Sequence, residues 1–168
     1  MNKESDNNNN EKTEQQQQLP PLVITSQYVK DLSFEAPGLP GILFEVKDMP
    51  NLELNIDIKA DSLKDNNFEV TLKIKVQAKT KDNEKVLFIC ELAYAALAIV
   101  NVPKEHLELV LSVEVPRMLF PFARQIIADI TKESGFSPVV LAPIDFFAIF
   151  KQRAEAIANE EAKKAKIN

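Results

Sequence analysis

Scarcity is informative in this chain. Its 168 residues include one cysteine, one histidine and three glycines. A lone Cys90 excludes an intramolecular disulfide. With His106 as the only imidazole, zinc clusters and Ser-His-Asp triads have too few members. A Cys90–His106 dyad is the one arrangement of that kind left to weigh. Its simpler reading is a packed strand thiol and an imidazole on a helix surface. So few glycines argue against a phosphate cradle, and neither G-x-G-x-x-G nor G-x-x-x-x-G-K-[ST] occurs. No apolar run approaches the roughly 20 residues of a membrane span. The N-terminus opens with charges and Asn7–Asn10 rather than an apolar signal segment. The expectation is a cytoplasmic protein with no cofactor, no metal, no catalytic centre and no membrane insertion.

Charge points the same way. The net charge is −5, with −2 on residues 1–18, +2 on residues 151–168 and −5 on the body between them. An acidic body repels nucleic acid and anionic lipid and favours a basic partner surface. No basic stripe with interleaved aromatics appears, so nucleic-acid binding is disfavoured.

Residues 1–18 hold Asn7–Asn10 and Gln15–Gln18, polar tracts with almost nothing to bury, and are expected to form a disordered tail. The folded domain is placed at 19–158, with a frayed charged tail at 159–168. Val23 to Phe34 is a predicted strand, followed by the turn-dense Ala36-Pro37-Gly38-Leu39-Pro40-Gly41. The long connection to residue 50 carries the apolar patch Ile42 to Val46, and long loops in compact domains often bind. Leu52, Leu54, Ile56 and Ile58 alternate with Glu53, Asn55, Asp57 and Lys59, a half-buried strand. After turn chemistry at Lys64–Asn67, Phe68, Val70, Leu72, Ile74, Val76 and Ala78 are assigned inward and Glu69, Thr71, Lys73, Lys75, Gln77 and Lys79 outward. With a hairpin at Lys81–Glu84, these strands predict a twisted antiparallel meander. Glu53, Asp57 and Glu69 read as a solvated polar face rather than as acid–base groups.

The fourth strand, Lys85 to Ile99, breaks alternation. Val86, Phe88, Cys90, Leu92, Tyr94, Ala96 and Ala98 form one parity; Leu87, Ile89, Glu91, Ala93, Ala95, Leu97 and Ile99 form the other. Both are apolar except for Glu91, so the second face needs a cover or remains a sticky patch. Either a partner subunit or the chain's own helices would supply one. A charge among apolar neighbours suits a contact surface, the apolar area giving affinity and the charge giving register. It also suits a gatekeeper against aggregation.

The remainder is predicted helical. Pro103–Glu114 comes first, then Pro116–Ser134 with Gly135 as its stop and a kink or displaced start at Pro121. A loop spans Ser137–Pro143. A last helix is capped by Asp145 and carries Phe146, Phe147, Ile149 and Phe150.

Four segments in order then resemble the SecB protein-export chaperone family. They are Tyr28-Val29-Lys30-Asp31-Leu32-Ser33-Phe34-Glu35-Ala36-Pro37, Phe88-Ile89-Cys90-Glu91, Leu119-Phe120-Pro121-Phe122-Ala123-Arg124, and Gly135-Phe136 with Leu141-Ala142-Pro143-Ile144-Asp145-Phe146. The resemblance covers roughly residues 22–150. It implies an α+β fold, a four-stranded antiparallel sheet with helices packed on one side, assembled as a homotetramer, a dimer of dimers. It implies an ATP-independent holdase that binds unfolded or nascent preproteins and delivers them to the SecA ATPase. The positions matching the family's SecA face are Asp31, Glu35, Ile89 and Glu91. Those matching its client groove are Phe44, Met49, Phe136 and Leu141, with Met49 standing where the family carries an aromatic. The basic end at Lys163, Lys164 and Lys166 departs from the family's often acidic tail. A different class of protein also fits the residues: a small α+β carrier or enzyme with an apolar pocket under an Ile42–Met49 lid.

Overall fold

Asp65 and Asn66 both adopt left-handed backbone angles, φ 56° and 59°, and the Asn67 N–H donates to the Lys64 carbonyl. Two left-handed residues at the centre of a turn match the right-handed twist of the strands it joins, and Asp and Asn tolerate that conformation best after glycine. The computed structural model in which this hairpin is seen describes residues 20–45, 49–82 and 84–165. The tail expected at 1–18 lies outside the described residues.

The hairpin joins β2 (Asn51–Ser62) to β3 (Asn67–Lys79), and a second turn leads to β4 (Val86–Val100). β1 (Leu22–Glu35) pairs antiparallel with β4, giving the order β1-β4-β3-β2. The meander expectation therefore holds for β2 to β4 only. β1 joins the far side, and residues 36–50 must cross the width of the sheet. Within that crossover a short helix, α1 (Ile42–Glu45), is anchored by Ile42, which is buried in the core.

Leu87 resolves part of the β4 anomaly. Lys79 pairs with Val86, but Ala78 pairs with Phe88, so Leu87 is an extra residue in a bulge. It is buried within the core cluster rather than on the outer face to which simple alternation assigns it. Beyond the bulge, Phe88, Cys90, Leu92, Tyr94, Ala96 and Ala98 face the helices and are buried. On the other parity Glu91 is exposed, Ile89, Ala93, Leu97 and Ile99 are half-buried, and Ala95 is fully buried. Among the described residues no helix covers this side. Tyr28 and Thr71, the strand neighbours of Ala95, flank it, and beside them the Glu69 carboxylate accepts from Tyr28 and from Lys30 at 2.5 Å. The alanine-rich end is therefore already filled. Thr71, assigned outward, is likewise buried, because these neighbours close over it.

The predicted pair of helices is one continuous helical run. α2 (Lys104–Leu109) passes through a π-helical turn at Val110–Glu114 into α3 (Val115–Glu133). The Val115 N–H reaches back to the Val110 carbonyl, the wider spacing of a π turn, immediately before Pro116. Proline lacks an N–H and crowds the preceding turn, so a locally widened helix accommodates it without a break. Pro121 sits within α3 and does not end it. Gly135, at φ 87°, terminates the helix: its N–H bonds to the Lys132 carbonyl and the Phe136 N–H to Thr131, the paired bonds of a glycine stop. In the following loop Thr131 Oγ1 accepts the Val139 N–H at 3.0 Å and donates to the Ile127 carbonyl at 2.8 Å. Asp145 caps α4 (Phe146–Ala165) through the Ala148 N–H at 3.0 Å. The helix runs on to Ala165, past the point where charge was expected to fray it; alanine, glutamate and lysine are all strong helix formers.

The core lies between the inner face of the sheet and these helices, with Leu119, Ala123, Ile127 and Phe146 against β3 and β4. Phe120 and Phe146 meet edge to face at 5.9 Å. The result is an α+β fold with helices on one side of a four-stranded antiparallel sheet.

Candidate functional site

The uncovered side of the sheet gathers all four residues proposed for a partner face. Strand register places Asp31 beside Ala93, Glu35 beside Ile89, and Ser33 beside Glu91. Because paired residues share a face, Asp31, Glu35, Ile89 and Glu91 lie together across β1 and β4. Asp31, Glu35 and Glu91 are exposed, and Ile89 is half-buried among them. Two bulges in β1, at Thr25 and Lys30, each reverse the facing once and so cancel, leaving these acids on the same face as Val23 while sliding their register along β4 by two residues. An open depression of about 300 Å³ runs across the sheet, lined in part by Asp31, Asp57, Lys73, Lys75 and Glu91.

The acids on this face are not equivalent. Among the described residues Asp31 and Glu35 have no hydrogen-bond or ion-pair partner. Glu91 accepts from Lys75 Nζ at 2.5 Å, across a directly opposed pair. Glu53 pairs with Lys79 at 2.6 Å, and Asp57 with Arg153 at 2.5 Å. Glu69 is held below the usual carboxylate range, first by its bond from Lys30 and then by Tyr28, while the same carboxylate pushes the Tyr28 phenol up to about 12. Glu53, Asp57 and Glu69, expected as a solvated face, are thus tied into ion pairs. Lys75 was missed as part of this site because its alternation assigns only a direction. Its partner depends on the bulge at Leu87.

The proposed groove residues divide. Phe136 packs against Phe88 at 5.0 Å and Phe34 at 6.3 Å, and Phe34 stacks on Phe88 at 5.3 Å. α1 crosses close by, with Leu43 about 3.5 Å from where a side chain on Gly135 would begin. Phe44 and Met49 are 83% and 89% exposed, held outward by the crossover. Leu141 departs from expectation: it is 6% exposed and belongs to the core, because the Thr131–Val139 bond folds its loop inward. It presents little surface for contact. The sequence reading also missed a second apolar strip. Leu52 and Leu54, assigned inward, are exposed at the β2 edge, where α4 does not reach over them. A shallow depression beside them is lined by Leu54, Ile56, Ile149, Gln152, Arg153 and Ala156. Arg153 spans it, donating to the Ile58 carbonyl at 3.3 Å as well as to Asp57.

The dyad is not assembled. Cys90 is buried in the core, where desolvation pushes its thiol up to about 11. His106 lies on the exposed face of α2, beside Glu105. No group of three or more potential metal ligands clusters among the described residues. No helix among them is long and apolar enough to cross a membrane.

Comparison with known proteins agrees with this geometry. Residues 14–157 match the family model "Preprotein translocase subunit SecB". The protein-export protein SecB of Rhodospirillum rubrum is 45% identical over 142 residues, covering 84% of this chain and 88% of that relative. SecB of Parvibaculum lavamentivorans is 44% identical over 150 residues, 89% of this chain and 88% of that protein. Among solved structures, a SecB-like chaperone of Mycobacterium tuberculosis, in complex with a peptide from an antitoxin, superposes with a TM-score of 0.62. At 14% identity over 74% of this chain and 91% of that one, it shares the fold.

Proposed function

The chain belongs to the SecB family of protein-export chaperones, and from that premise we propose an ATP-independent holdase that binds unfolded preproteins in the cytoplasm and passes them to SecA. The observation that carries this reading is the separation of two unlike surfaces. An acidic face lies on the bare side of the sheet, and apolar surface at Phe44, Met49, Leu52 and Leu54 lies elsewhere. A client and a motor can then be held at once without competing for one site.

Client binding works by mass action. Apolar residues at Phe44, Met49, Leu52 and Leu54 meet segments that a native protein hides, so the unfolded client is bound and its folding slowed. Met49 serves where an aromatic is absent, its flexible thioether suiting varied partners. Each contact is weak, and affinity accumulates over many of them along one chain. The solved mycobacterial relative holds a peptide, which supports polypeptide as the ligand here. Handover uses the acids Asp31, Glu35 and Glu91 around Ile89, a charge pattern that favours a basic partner segment. No step involves catalysis or a cofactor.

Assembly as a dimer of dimers is supported by apolar surface on the helical side. Val29 and Leu32 of β1 and Met118 and Phe122 of α3 are exposed, and Phe122 stacks on Tyr94 at 6.4 Å. These residues leave apolar area that packing against another copy would bury.

Light scattering of the free protein, followed by addition of a reduced, unfolded preprotein, tests the reading. The expected result is a tetramer that binds the unfolded form and releases the folded one. A monomer indifferent to unfolded chains would sink it. For the partner face, Glu91→Lys is expected to weaken SecA binding about tenfold at low salt and leave client binding unchanged. Equal SecA affinity would remove Glu91 from the contact.

A further inference from the structure

Glu91 is the one residue of the proposed partner face that already has a partner. Lys75 lies directly opposite it on β3, and its ammonium sits 2.5 Å from a carboxylate oxygen. Both side chains are about half exposed, at 48% and 49%. The free acids Asp31 and Glu35 flank this pair on β1. One step along β3, Lys73 faces the same side and makes no ion pair among the described residues. Two lysines of equal charge therefore stand beside the acidic face, one engaged with a docking residue and the other not.

We propose that Lys75 is an intramolecular competitor for Glu91, a tethered cation that the partner's own basic group must displace before the face is fully engaged. This rests on reading Asp31, Glu35, Ile89 and Glu91 as the docking face, and it adds a control on that face. Asp31 and Glu35 are available at first encounter; Glu91 becomes available only when the Lys75 contact opens. The pair is exposed and salt-screened, so its opening is easy and the handicap modest. Docking by such a guarded face is tuned for release: the partner's cation leaves as Lys75 returns. The device also keeps a third carboxylate from attracting unrelated cationic segments, including those of bound clients.

Competition and simple charge repulsion make different predictions. Lys75→Met removes the competitor together with one positive charge, whereas Lys73→Met removes the same charge without freeing Glu91. Titrating SecA into the full-length protein at low salt, Lys75→Met is expected to bind about two- to fivefold tighter than the parent, the range of an exposed ion pair. Lys73→Met should gain less. In a Glu91→Gln background the Lys75→Met gain should vanish, because there is no carboxylate left to release. Lys75→Gln provides a second variant should the methionine perturb the strand. If Lys75→Met and Lys75→Gln bind no tighter than the parent while Glu91→Gln weakens binding, the competitor is overturned and the docking face stands. A gain that persists in the Glu91→Gln background, or that Lys73→Met equals, assigns the effect to general repulsion and also overturns it. If Glu91→Gln leaves SecA affinity unchanged, the docking face itself fails.

Discussion

The two faces of β4 carry one backbone and two kinds of chemistry. Toward the helices, Phe88, Cys90, Leu92, Ala96 and Ala98 are sealed in the core. Toward solvent, Ile89, Glu91 and Ala93 stand on an open face, with Asp31 and Glu35 beside them. The inner face has a stability role because every side chain there has lost water and gained neighbours. The outer face keeps its charges solvated or paired near the surface, where an ion pair contributes little to folding. Its residues are therefore free to serve recognition. A substitution should register in one currency or the other according to the face it changes.

Phe88→Ala tests the inner face most severely. Phe88 stacks on Phe34 and packs on Phe136, and its loss should cost about 3–5 kcal/mol in urea unfolding. That is a large part of a typical domain's stability. A cost below about 1 kcal/mol would mean that the face is not packed as described. Gly135→Ala, within the helical layer, comes next. The left-handed φ of 87° disfavours any side chain, although the nearest atom of Leu43 leaves room for one. A loss of about 1–2 kcal/mol is expected from backbone strain alone, read as a shift in unfolding midpoint.

A smaller effect belongs to the outer face under acid. Glu69 has its carboxyl lowered, first by Lys30 and then by Tyr28. A group with a depressed native pKa contributes stability that is present above its unfolded value and lost as pH falls through the native one. Unfolding midpoints measured from neutral pH down through the carboxylate range should therefore fall less steeply for Glu69→Gln than for the parent. Parallel curves would remove Glu69 from the acid response. Smallest of all, Glu91→Gln should change stability by less than about 1 kcal/mol in the same urea assay. A loss of the Phe88→Ala size would break the division between the faces.

Much of the fold was legible because it follows from local chemistry. Alternation in residues 52–59 and 68–79 predicted β2 and β3, and Lys64–Asn67 predicted the turn between them. Gly135 and Asp145 marked a helix stop and a helix start at the observed places. The proposed partner face was partly legible, since Glu91 stood out among apolar neighbours and the flanking acids came through family resemblance. Leu141 was misplaced, because its burial depends on a bond between Thr131 and a residue eight positions away. Leu52 and Leu54 alternate like a core strand, yet they are exposed because β2 is an edge that the helices do not fully cover.

The amino-acid sequence by itself determined which residues are apolar, where the chain turns, and that one strand carries a carboxylate amid apolar neighbours. Those properties are local, set by side-chain chemistry and backbone preference. The tertiary structure decided what that carboxylate touches. Continued from the Thr80–Lys85 turn without interruption, the hairpin register would set Glu91 opposite the core residue Ile74. The bulge at Leu87 shifts it by one, placing Glu91 opposite Lys75 and turning Phe88, Cys90 and Leu92 inward instead. A one-residue slip in a strand exchanges its faces, and burial against the helices chooses between the two.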